Sequence, residues 1–156
     1  MDDRLQILFL LDFISTRLRP MAASLYIVVE GEDPGFDIFV NGQALARNED
    51  ALEKLAERLR VVPLLDFFSA DENSMALLVE QGASRPDWEL PLPQPQWFPA
   101  SDGLLTVRDL IGFLASTPAA LGSETHPTLF ELREYERVLM KTAHHGLRWH
   151  LAVSWR

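Results

Sequence analysis

Residues 147–155, Leu147-Arg148-Trp149-His150-Leu151-Ala152-Val153-Ser154-Trp155 (LRWHLAVSW), set Leu147, Trp149, Leu151, Val153 and Trp155 two apart, with Arg148, His150, Ala152 and Ser154 between them. Successive side chains of a strand point to opposite faces, so this spacing predicts a strand with one buried face. Just before it, Ala143-His144-His145-Gly146 reads as the end of a helix. Gly146 supplies the left-handed residue that stops it, and two imidazoles suit the carbonyl-rich last turn.

Working back from that strand, residues 127–145 form the longest helix, opened by Pro127 and buried through Leu129, Leu132, Tyr135, Leu139 and Ala143. Arg133, Arg137 and Lys141 make an i,i+4 row on it, and this row, with Glu131, Glu134 and Glu136, is expected to face solvent. Thr106 with Asp109 three residues on predicts a cap for a helix running through Val107, Leu110, Ile111 and Leu114 to Pro118. Asn48 is placed to cap a helix over 49–61 with Leu52, Leu55, Ala56 and Leu59 inward. Ser69-Ala70-Asp71-Glu72 fits a capping box for a further helix that Gly82 closes.

The other end of the sheet is Ser24-Leu25-Tyr26-Ile27-Val28-Val29-Glu30, a β-branched run ending at Gly31 that reads as a largely buried strand. The stretch GEDPGFDIFVNG (31–42) is a turn-rich loop pinned by Phe36, Phe39 and Val40, or a short strand over 36–40. Residues 63–68 make an apolar connector. Residues 86–99 hold five of the ten prolines. Proline fixes φ and removes donors, so this part is an extended traverse, preferred over a polyproline II ligand at Pro91-Leu92-Pro93. The order implies an α+β domain: a small sheet pairing the first and last strands, covered by about four helices, as a single domain over 21–156. A two-stranded ribbon is marginal alone, so the helices must supply most of the core or residues 36–40 must add a strand.

Residues 1–20 carry an apolar run from Leu5 to Ile14, broken by Gln6 and Asp12. A membrane span needs about 20 apolar residues, so no span is expected. The Asp2-Asp3 start does not suit a signal peptide. Two readings stand: an amphipathic helix, or a leader that exists because translation is assigned to begin too early, Met21 being a natural start.

The chain has no cysteine, so disulfides, thiolate nucleophiles and sulfur-ligated metals are excluded by inventory. Its net charge is −9, with 15 acids against 5 bases over residues 30–102. Such a field repels a phosphate backbone, and no nucleic-acid partner is expected. GxSxG, GxxxxGK[ST], GxGxxG and HExxH motifs are absent. Adjacent His144 and His145 point about 100° apart on a helix, so they do not make a chelating pair, and no metal or cofactor is expected. The loops around Asp37 and Asn41 and around Trp97 and Phe98, together with His150, are the candidate binding residues. The leading reading is a non-catalytic interaction or regulatory domain that meets a basic or amphipathic protein partner, an immunity or antitoxin protein being one concrete version. The rival is an enzyme or small-ligand binder using His150 in a groove between strand and helix, aided by Tyr26 or Glu30.

Taken together, SLYIVVE, PGFDIFVNGQALA, PLLDFFS, WFPASDGLLTVRDLIGFL and LRWHLAV resemble a family of small uncharacterised bacterial proteins over about residues 24–153. The resemblance implies a bacterial, cytoplasmic protein. It carries no activity, and no functional residue comes with it.

Overall fold

A computed structural model describes residues 23–69 and 95–154. The leader, the capping-box helix through Gly82, and Trp155 therefore lie outside the described residues. The elements are β1 (Ser24–Val29), α1 (Gln43–Arg47), α2 (Glu49–Leu59), β2 (Phe98–Pro99), α3 (Ala100–Ser116), α4 (Thr125–His144) and β3 (Arg148–Ser154), with single 3₁₀ turns at Leu64–Phe67 and Gly122–Glu124. This is an α+β fold whose first and last strands are sheet neighbours.

The sheet is antiparallel in the order β1-β3-β2, with Ser24 opposite Ser154 and Val29 opposite Trp149. The last strand is thus central, which reverses the expected burial of the two. β1 alternates buried and half-buried, whereas Trp149 to Val153 are buried on both faces, His150 and Ala152 included. A central strand has neighbours on either side, so its second face is far easier to cover than that of an edge strand.

The third strand comes from Phe98–Pro99 and not from residues 36–40. Proline cannot donate to a ladder, so Pro99 is confined to the edge. Its carbonyl accepts the Trp149 indole N–H at 3.2 Å. Residues 36–40 instead form turns, described below.

On the inner face Leu25, Ile27, Val29, Trp149, Leu151 and Val153 meet Val107 and Leu110 of α3 and Leu132, Tyr135 and Leu139 of α4 in one cluster. Fully burying each large apolar side chain contributes about 1.5–3 kcal/mol. The buried Tyr135 hydroxyl donates to the Leu25 carbonyl, tying α4 to β1. Among the described residues no helix is long and apolar enough to cross a membrane.

Helix ends follow from local chemistry. α4 stops as expected: Gly146 has φ +67°, its N–H donates to the Ala143 carbonyl, and Leu147 N–H donates to that of Thr142, both at 3.0 Å. That pair of bonds is the Schellman closure. α3, however, begins at Ala100 and not at Thr106. Ser101-Asp102-Gly103 had the composition of a turn but is helical, since Gly103 lets α3 approach the Trp149 ring. Thr106 is buried mid-helix, and its hydroxyl donates to the Val62 carbonyl at 2.6 Å.

Asn48 occupies the junction of α1 and α2, but its side chain does not accept from α2. Its amide donates back to the Ala44 carbonyl at 2.8 Å, beside the Asn48 N–H that donates to the same oxygen at 3.0 Å, and closes α1, a helix invisible in the residue pattern. α2 ends at Arg60, with φ +60°. A residue with a Cβ is strained in that conformation by about 1 kcal/mol. Arg60→Gly should therefore raise stability by about 0.5 kcal/mol, the remainder being offset by unfolded-chain entropy, as read from the shift in urea midpoint at constant slope.

Candidate functional site

The five candidate residues fall into separate places. Asp37 and Asn41 lie on the loop after β1, Trp97 and His150 meet on the outer face of the sheet, and Phe98 turns to the inner side. Phe98 packs edge-on to Phe67, ring centres 5.4 Å apart.

His150 sits opposite Val28, on the same face of the sheet as Tyr26 and Glu30. Its ring is 1% exposed. The Trp97 indole lies on it at 4.8 Å between centres, and Nδ1 is 3.0 Å from the Leu151 carbonyl. The Glu30 carboxylate is taken up by the Arg148 guanidinium, whose hydrogen bonds hold it below the usual carboxylate range. An imidazole this deep offers no face to a solute.

The other imidazoles are elsewhere. His145 stacks on Phe36 at 5.0 Å and 28°, and His144 lies edge-on to His145 at 5.8 Å. Among the described residues, the one group of three metal-competent side chains with ligand atoms within 4.8 Å is Glu49, Asp50 and Glu53. Glu49 and Asp50 stand in the first turn of α2, where the helix amides already favour negative charge, and Glu53 follows in the next turn. A small crevice beside them, lined by Leu25, Leu45, Leu52, Leu64 and Pro63, is apolar and has room for about one water.

The loop over 31–42 is built with more regularity than its composition promised. Asp33, Asp37 and Asn41, each four residues after the last, accept the backbone N–H two residues ahead: Gly35, Phe39 and Gln43, at 2.9, 2.9 and 3.0 Å. Each is an Asx turn, in which a short carboxylate or amide replaces a backbone acceptor. Arg137 of α4 reaches the carbonyls of Asp37 and Phe39 at 3.5 and 3.4 Å while paired to Glu134 at 3.0 Å. The basic row on α4 is therefore in part a clamp on this loop and not a purely solvated face.

The outcome is that Phe39 is held outward, 76% exposed, with Phe36 and Ile38 half-buried and Val40 buried beside it. Glu32, Asp33 and Asp37 of the same loop are exposed as well, Asp37 accepting the Phe39 N–H. Phe39 was expected to help pin the loop to the core, but only Phe36 and Val40 turn inward and Phe39 points out. The signal that would have found it is the four-residue spacing of Asp33, Asp37 and Asn41, which fixes the backbone on both sides of one aromatic.

Glu131 was expected in solvent and is buried. Its Oε1 and Oε2 accept the Leu45 and Ala44 N–H groups at 2.9 and 3.1 Å, capping α1 from 86 and 87 residues away in sequence. Burial raises its carboxyl above the ordinary value despite those two bonds. Arg47 at the end of α1 also pairs with Glu124 through two contacts of 3.1 Å, so α1 is fixed at one end to α4 and at the other to the turn just before it. The loop carrying Phe39 thus runs between two anchored elements.

Comparison with protein families, with curated proteins and with solved structures finds no match to this chain.

Proposed function

We propose that this is a non-catalytic protein-binding domain that presents Phe39, on a loop carrying exposed Glu32, Asp33 and Asp37, to a basic or amphipathic segment of another protein. The observation that carries it is the fixing of an exposed aromatic by Asp37 on its amide and Arg137 on its carbonyl. A large apolar side chain in water is ordinarily unremarkable. One whose backbone is already fixed by hydrogen bonds has less ordering entropy left to lose on binding, which favours it as an interface anchor. The surrounding acids would steer a cationic partner, as expected from the net charge of −9. The same sign of charge supports the absence of nucleic acid among its partners. A bacterial cytoplasmic setting is part of the proposal and rests on the sequence resemblance alone; an immunity-like role is one form it would take.

Affinity capture from cell extract with the full chain tests this. The wild type should retain a partner at low salt and less at raised salt. Phe39→Ser, at a position too exposed to affect folding, should weaken retention by roughly tenfold to a hundredfold. Equal capture by the two proteins, or none by either at both salts, rejects the reading.

A further inference from the structure

We propose that this chain pairs with a second copy of itself through the outer face of the α3–α4 hairpin, Leu105 of each copy seated on Met140 of the other. Leu105 and Met140, on adjacent helices, are 67% and 49% exposed. Arg108 and Glu136 pair at 3.1 Å, and Gly103 lies against Leu139, so the two helices run antiparallel. Leu105 is one turn before Arg108 and Met140 one turn after Glu136; in antiparallel helices these steps go the same way. The two exposed side chains therefore stand at one height on one face.

Charge decides how a second copy sits. Asp102 and Asp109, one turn on either side of Leu105, are exposed along α3, whereas Arg133 and Lys141 are exposed along α4. A two-fold axis parallel to the helices lays α3 of one copy on α4 of the other. Leu105 then meets Met140 at the same height, and the acidic stripe meets the basic stripe twice. An axis across the helices would set α3 on α3, acid against acid. Symmetry makes the first arrangement self-complementary.

A 17-residue helix is about 25 Å long, and two side by side span about 20 Å, so the face offers roughly 500 Å² per copy. Stable dimers bury about 800 Å² per partner. The pairing is accordingly weak, with Kd on the order of 10–100 µM.

Sedimentation of the full chain up to about 500 µM reads it directly. The wild type should dimerise, and Leu105→Asp should weaken the dimer more than tenfold. Asp109→Arg and Arg133→Asp should each weaken self-association, by placing like charges together. Mixed, those two variants should form a heterodimer, since both contacts across the axis are then of opposite sign. Phe39→Ser should leave the dimer intact, which separates this face from the loop proposed to bind another protein. A wild type that is monomeric throughout, or a dimer indifferent to Leu105→Asp, or variants that fail to combine on mixing, would overturn the proposal.

Discussion

Gly103→Ala should destabilise the domain by about 3 kcal/mol, although alanine normally improves a helix interior by up to about 1 kcal/mol over glycine. The sign reverses because of Trp149. A Cβ built on Gly103 would lie 2.8 Å from Cε2 and closer still to Cζ2, with Leu139 Cδ1 at 3.1 Å on its other side. The indole cannot swing clear: it is fully buried, packed against Phe67 with ring centres 5.0 Å apart and planes tilted by 33°, and tethered by its N–H to the Pro99 carbonyl. Relief must come from moving α3 as a whole, which loosens its packing on α4. Gly112, on the same helix with open space around it, is the control. Gly112→Ala should stabilise by about 1 kcal/mol, so two identical substitutions on one helix shift urea midpoints in opposite directions. Adding Trp149→Phe to Gly103→Ala should recover part of the loss, giving a coupling of about 1–2 kcal/mol in a double-mutant cycle. Additive effects would mean the glycine is not there to admit the ring.

The same glycine shows where residue patterns stop informing. Period-two spacing identified β3, and the 3.6-residue period identified α2 and the body of α4, because those signals arise within one segment. Gly146 was legible for the same reason, its closure joining residues only five apart at most. Thr106 and Glu131 were misjudged, and the role of Gly103 was invisible, because each answers to something remote: the Val62 carbonyl, the amides of α1, and a ring 46 positions on. The five-residue α1 has too few turns to show a period and is held by Glu131 rather than by propensity. Likewise the order β1-β3-β2 is set by which strand ends centrally, and alternation within a strand says nothing about its neighbours. Of the site, Asp37 and Asn41, offered as binding residues, each accept a backbone N–H two residues on in Asx turns. What they fix in place, Phe39, depends on Arg137 from α4, about a hundred positions away.

Glu131→Ala is the other substitution with a large expected effect, a loss of about 3 kcal/mol. It strips the acceptors from the Ala44 and Leu45 amides, which are buried and have their hydrogen bonds to this carboxylate. Glu131→Gln keeps one acceptor and should lose about half as much. pH separates the two roles of the charge. Burial raises the carboxyl above 4.5, Glu124 adds to the rise, and the Ala44 and Leu45 amides with Arg47 oppose it. Because the folded value exceeds the unfolded one, this group's favourable contribution is complete below pH 4.5 and is lost as pH rises through the folded value. Glu124 and Glu30 slope the opposite way, held low by hydrogen bonds from Arg47 and Arg148. The informative quantity is therefore the stability of wild type minus that of Glu131→Gln. It should fall as pH climbs from about 4.5 toward neutrality and level off above the folded value. A difference that rises over that window would mean that the two amides outweigh burial, and that α1 is secured by the charge itself rather than by an acceptor that happens to carry one.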